Sequence, residues 1–293
     1  MLPLFEIKVE ILSMLNFTEI SDVSSKKVDL DVFTAHQLDL VLLKNTIKIP
    51  SSTIEKEIFD LSIAFTASRL MLPDGFFLPL PYSTVNERFN KEEEALDQYF
   101  NHAHVAINQF ISKQINWFEW FENQLKTLFS THVKLLTFNG NSFSPFGVRV
   151  LTAEKNGLDI HCENAFLHQL KPSFREWLTS QVDVENACSF FIALQVPQVG
   201  GELVVYDTDW NSFSLLLDST SYDERHDLNG SIFRDRNHPN VKSTIFEMSS
   251  GDAVIFRAAQ LWHAITPPKG QINRITIGCF IAKGKDGKYY YWA

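Results

Sequence analysis

After Phe138 the chain breaks into short runs of alternating or continuous apolar residues. FGVRVLTAE, ACSFFIALQVP, GELVVYDTDW, DAVIFRAA and RITIGCFIA are divided by the turn signals KNG, VGG and SSGD. Runs of this length, rich in β-branched and aromatic residues and bounded by glycine, predict strands. Many such strands in succession predict a barrel or a double-sheet jelly roll. The chain before them has mostly helical spacing. Ile54, Ile58, Leu61 and Phe65 follow a capping box in which Ser52 accepts from the first turn while Glu55 reaches back. From about Lys91 to Phe129 the pattern is again helical, with a break near Gln114 and one face made by Leu96, Tyr99, Phe100, Ile107, Phe110 and Ile111.

Three other stretches interrupt these patterns. LDLVLLKNTIKIP reads as a strand or strand pair stopped by Pro50. MLPDGFFLPLPYS, with its prolines and glycine, reads as a loop whose Phe76 and Phe77 could close over a pocket. The polar stretch from Asp218 to Lys242 reads as a functional lid or a disordered loop. The expected architecture is α+β and a single domain over 1–293. A mainly helical part at 1–135 packs on a jelly-roll core at 136–293 that carries an insert near 218–242.

Composition narrows the function classes. The 293 residues are 45% apolar and 21% charged, enough for a sizeable core. The 25 Phe, 6 Trp and 7 Tyr favour an apolar interior or a small-molecule pocket. A net charge of −9 argues against nucleic acid as a partner, because phosphate binding needs a basic footprint. The odd set Cys162, Cys188 and Cys279 has no repeating spacing and suits a reducing cytosol. Glu6 and Glu10 interrupt the apolar N-terminal stretch, which therefore does not read as a signal peptide. No apolar run approaches the ~20 residues that cross a bilayer. The expectation is a cytoplasmic protein with no membrane partner.

Candidate chemistry begins with GLDIHCENAF. On a strand, positions i and i+2 share a face, so His161 and Glu163 can grip one ion from one edge. Alone, the pair reads as a solvated strand end. Downstream, LWHAITP sets His263 in an expected strand, and two histidines with one carboxylate form the facial triad of non-haem Fe(II) oxygenases. The positions such a triad leaves open accept a bidentate 2-oxo acid and O2. Arg274 in NRITIGCFIA can fork onto the distal carboxylate of 2-oxoglutarate, and Thr276 on the same strand face can add a hydroxyl. The blander readings are a core histidine beside Trp262 for His263 and a surface salt bridge for Arg274. His102 and His104 diverge on a helix, and His36, His132, His168, His226 and His238 have no partner pattern. Cys162 should point to the opposite face, as packing, and Gly200–Gly201 reads as a tight turn.

VGGELVVYDTDW, HCENAFL and the ending RITIGCFIAKGKDGKYYYWA carry a family resemblance over about residues 145–293. The segment resembles the Fe(II)/2-oxoglutarate-dependent oxygenases with a double-stranded β-helix (jelly-roll, cupin-like) core. Among them it is most similar to the freestanding, carrier-independent indole-alkaloid halogenases. The resemblance implies Fe(II) as cofactor, 2-oxoglutarate and O2 as co-substrates, and release of succinate and CO2. It also implies a small freestanding substrate, an amino-acid derivative or an alkaloid-like natural product. Those halogenases carry a glycine, which makes room for chloride, where this chain has Glu163. The chain therefore looks like a hydroxylating relative, a dioxygenase acting on an unactivated C–H. Halogenation and desaturation are other outcomes of the same chemistry. A non-catalytic cupin-type protein holding a metal or a small acid is the rival from another class. A zinc hydrolase with the same ligands would leave Arg274 without a task.

Overall fold

The structure, a computed structural model, describes residues 15–21, 27–50, 53–64, 69–79, 81, 85, 91–111, 115–167, 170–210 and 242–293. The insert near 218–242 lies outside them apart from Lys242, as do Ser52, Phe65, Gln114, His168, His226 and His238.

The first half of the chain runs β1 (Phe17–Ile20), α1 (Asp31–Thr34), β2 (Leu40–Leu43), α2 (Ile54–Ala64), β3 (Leu70–Leu72), β4 (Gly75–Leu78), α3 (Glu92–Ile111) and α4 (Trp117–Leu128). Three short strands follow: β5 (Val133–Leu135), β6 (Thr137–Phe138) and β7 (Asn141–Ser142). Next come β8 (Gly147–Leu151), β9 (Leu158–His161), α5 (Glu163–Leu167), α6 (Pro172–Gln181), β10 (Cys188–Gln195) and β11 (Leu203–Asp209). The chain closes with β12 (Ser243–Phe246), β13 (Ala253–Phe256), β14 (Leu261–Ile265), β15 (Arg274–Lys283) and β16 (Tyr289–Trp292).

Two sheets form a double-stranded β-helix. The larger has the order β1-β2-β13-β10-β15-β8-β4-β3, with β16 on β15 and β5 on β16; the smaller has the order β12-β11-β14-β9. The ten-residue β15 ties the large sheet together, pairing β10 along its length, β8 at its start and β16 at its end. One face of this sheet is covered by helices. Phe76, Val148, Val150, Phe190, Ile192, Ile275 and Ile277 pack there with Ile58 and Leu61 of α2, Phe110 of α3, and Trp117 and Phe121 of α4. Of the α4 aromatics, Trp117 and Phe121 belong to this core and Trp120 packs against it. The other face looks into the barrel, where Phe191, Val254 and Leu151 meet Leu203, Val205 and Ile265 of the small sheet.

Two expectations change. The N-terminal part adds strands to the sheet as well as helices to its face: β2 pairs β13 and β1 extends the sheet beyond β2. MLPDGFFLPLPYS is also not simply a loop. Pro73 and Asp74 turn β3 into β4, and β4 pairs β8. Phe76 is buried against the Phe59 ring on the helical face, and Phe77 points to the barrel side beside Arg149. Prolines on both sides of a four-residue strand conceal it: Pro73 lies in the turn before β4 and Pro79 just after it, so neither breaks its pairing with β3 and β8. No helix among the described residues is long and apolar enough to cross a membrane.

Candidate metal centre

His161, Glu163 and His263 come together at one end of the barrel, their ligand atoms all within 4.8 Å of one another. His161 ends β9 and His263 is its direct cross-strand partner on β14, with ring centroids 4.1 Å apart. Glu163 reaches the same point by another route than the expected shared strand face. The strand stops at His161, and Glu163 is the first residue of α5. Two contacts pin this corner: the Glu163 N–H donates to Ala258 O at 3.1 Å, and the Cys162 thiol donates to Ala259 O at 2.9 Å. Cys162 does face away, into the outer cluster with Ile160, Trp262 and Ala264. Its thiol sets the turn that delivers Glu163.

The donor set suits a divalent metal. Each imidazole Nδ1 bonds a backbone carbonyl two residues earlier, Asp159 O at 2.7 Å and Leu261 O at 2.9 Å. With Nδ1 protonated, Nε2 carries the lone pair, the arrangement that orients ligating histidines. Each Nε2 lies 3.9 Å from Glu163 Oε1, a spacing that one ion roughly 2 Å from each donor can bridge. Burial pushes His263 down to about 4 and His161 well below its usual value, so both are neutral and available. Burial raises the Glu163 carboxyl to about 7, partly offset by the positive charge of Arg149. The donor chemistry fits a cation, because an ion bridging the three donors would supply the charge that favours the ionised carboxylate.

Arg274 opens β15 on the facing sheet, 4% exposed. Its Nε donates to Gly201 O at 2.9 Å and its guanidinium lies 5.3 Å from the Phe191 ring centroid. Burial lowers it to about 9, helped by Arg149 and opposed by Glu202. Gly201 is thus more than a turn residue. At φ +77° it lays its carbonyl on Arg274, and a Cβ there would come 3.1 Å from the arginine Cδ. Glu55, expected to cap α2, bonds Gln195 Nε2 at 3.1 Å and Asn273 Nδ2 at 2.6 Å, bracing the start of β15. Thr276, 6% exposed, follows Arg274 on the same face. A buried guanidinium with no carboxylate in ion-pairing range among the described residues fits a carboxylate ligand.

Sequence reasoning missed Arg149. It pairs with Thr276 across β8 and β15 and with Phe77 across β4 and β8. In FGVRVLTAE it was only one residue of an apolar strand. The available signal was an arginine alternating onto the barrel face between Gly147 and Leu151.

A sequence comparison with curated proteins finds no match. Among solved structures, an N-substituted L-amino acid dioxygenase from Burkholderia ambifaria AMMD is 15% identical, covering 90% of this chain and 89% of that chain at TM-score 0.57. A structure of such an enzyme from the same source in complex with alpha-KG is also 15% identical, with the same coverage and TM-score 0.54. At this identity the likeness is one of fold. Residues 74–293 match the family model of the carrier-protein-independent halogenase WelO5. With well over half of its length matched, the chain belongs to that family, an enzyme of the Fe(II)- and 2-oxoglutarate-dependent oxygenases.

Proposed function

We propose that the enzyme hydroxylates an unactivated C–H of a small freestanding metabolite. In this reading His161, Glu163 and His263 hold Fe(II), and Arg274 and Thr276 hold 2-oxoglutarate. The observation that carries it is the Glu163 carboxylate, 3.9 Å from both histidine Nε2 atoms. In the halogenases that the sequence resembles, a glycine at this position leaves room for chloride; here the carboxylate fills the space with an oxygen donor. When bound, Fe(II) and 2-oxoglutarate supply the oxidising power, with O2 and the oxo acid going to succinate, CO2 and one oxygen atom on the substrate. The chain supplies the rest. Two imidazoles and a carboxylate fix three donors, Arg274 orients the oxo acid, and the apolar walls around His263, Phe256 and Val205 among them, limit water. The substrate is read as an amino-acid derivative or alkaloid-like compound, in keeping with the carboxylate-bearing substrate named for the dioxygenase of similar fold. The whole chain is read as one oxygenase domain, because α2, α3 and α4 share a core with the strands that carry the arginines.

The test needs no substrate. Anaerobic Fe(II) and 2-oxoglutarate together should give a visible charge-transfer band in wild type that chloride does not shift, and Glu163→Gly should give a band that responds to chloride. A chloride-sensitive band in wild type, unchanged by Glu163→Gly, would mean that Glu163 is not a ligand and would end the hydroxylase reading.

A further inference from the structure

Arg149 has no role in the reading above, and its surroundings are not those of a structural arginine. It sits in the middle of β8 on the barrel face, in one cross-strand row with Phe77, Thr276 and Ala193. Its guanidinium lies 5.3 Å from the Phe77 ring centroid, a cation–π support. That support needs Gly147, since a Cβ there would run into the Phe77 ring. Its Nε is sealed from solvent without a hydrogen-bond partner, and among the described residues no carboxylate lies within ion-pairing distance. Its charge is nevertheless felt by His161, Glu163 and His263 on one side and by Arg274 on the other. A partly buried guanidinium whose Nε is sealed, with no ionic partner among the described residues, costs stability, so a ligand is the natural source of the missing anion.

We propose that Arg149 is a second carboxylate-binding residue of the barrel, held by the Phe77–Gly147 platform between the metal triad and Arg274. Arg274 sits two pairs further along β8 and β15, opposite Leu151, with Ile275 and Val150 between them on the other face. The two arginines therefore occupy successive positions on the barrel face, an arrangement that suits two carboxylates or the two ends of one diacid. The proposal rests on the assignment of the triad and Arg274 made above. Two acids can bring the carboxylate: the co-substrate, through the carboxyl next to its keto group, or the substrate, through its own acid group.

The experiment uses full-length protein loaded anaerobically with Mn(II), a redox-quiet stand-in for Fe(II). It measures binding of 2-oxoglutarate, of pyruvate, which keeps the keto acid end and lacks the distal carboxylate, and of butyrate to the protein saturated with 2-oxoglutarate. For Arg149→Gln we expect 2-oxoglutarate and pyruvate to weaken by the same factor, on the order of tenfold or more, as loss of a charge-assisted pair implies. Arg149→Lys should recover part of this, and Arg274→Gln should weaken 2-oxoglutarate while sparing pyruvate. If Arg149→Gln spares both oxo acids and removes butyrate binding, the carboxylate belongs to the substrate. Should Arg149→Gln not fold, the similarly shaped Arg149→Met carries the same expectations. The proposal is overturned if the uncharged variants bind all three acids as wild type does, including the case in which only Mn(II) affinity changes and Arg149 merely balances Glu163. Failure of Mn(II) to bind, or indifference of 2-oxoglutarate to Arg274→Gln, would instead overturn the underlying site and this inference with it.

Discussion

The two faces of the large sheet are built to different rules although they alternate along the same strands. On β15, Ile275, Ile277 and Cys279 face the helices, while Arg274, Thr276 and Gly278 face the barrel. On β8, Val148 and Val150 face the helices, while Gly147 and Arg149 face the barrel. The helical face is mainly hydrocarbon and aromatic contact, including the Phe110–Phe146 and Phe121–Phe190 ring pairs. The barrel face sets two arginines, with no ionic partner among the described residues, a hydroxyl and glycines among apolar residues such as Phe191, Val254 and Leu151. Burial stabilises the first face and is spent against the second. Stability and function are thereby separated by one residue step along a strand, which makes the comparison open to mutation.

The largest effect should come from the helical face. Ile277 is fully buried there, and Ile277→Asp would put a carboxylate among Phe190, Val148 and the helices. The expected result is loss of the cooperative melt at moderate temperature, because an unpaired buried charge and a lost side chain each cost several kcal/mol. A variant that still melts near wild type would show that this face is not the stabilising one.

The next effect should come from the barrel face and run the other way. Arg274→Ala should weaken 2-oxoglutarate by about 2–5 kcal/mol, the cost of truncating one partner of a buried pair. The melting temperature without 2-oxoglutarate should stay level or rise, since the variant no longer buries an unpaired guanidinium. Calorimetry and a thermal melt on the same sample check both halves. A large fall in melting temperature with 2-oxoglutarate binding intact would reverse the assignment of the two faces.

Much of this division could be read from the sequence, because strand alternation is local. Ile275 and Ile277 against Arg274 and Thr276 is a period of two that the structure retains. The grouping of His161, Glu163 and His263 is also legible from residue type, although His161 and Glu163 do not share the strand face expected of them. Glu163 leaves the strand and opens a helix, and the Cys162 and Glu163 contacts to Ala258 and Ala259, distant in sequence, bring it back. What could not be read was pairing at long range. Leu40–Leu43 is too short to show that it belongs beside Ala253–Phe256, and Phe76–Phe77 gains strand character only by lying on β8. Arg149 was missed for the same reason: its meaning lies in its neighbours Phe77 and Thr276 on other strands, and its own segment does not show them.

The smallest expected effect concerns the corner where the small sheet gives way to α5, where burial acts against a charge that a metal would neutralise. The Glu163 carboxyl is raised from 4.5 to about 7, chiefly by burial. In the unfolded chain it loses its proton near 4.5, so between pH 4.5 and 7 the folded metal-free protein holds more protons than the unfolded one. By linkage its stability falls as pH rises through that window. The contribution is present below 4.5 and gone above about 7. With solvent access to the carboxyl allowed for, it should amount to roughly 1–3 kcal/mol. Glu163→Gln cannot titrate, so the melting temperature of metal-free wild type should fall relative to that variant as pH rises from 4.5 to 7.5. Mn(II) should remove most of the difference at the upper end by pairing the ionised carboxylate. Parallel pH profiles for the two metal-free proteins would mean that Glu163 is well solvated or already paired, and the contrast between a carboxylate held neutral at the start of α5 and the charged arginines of the large sheet would be lost.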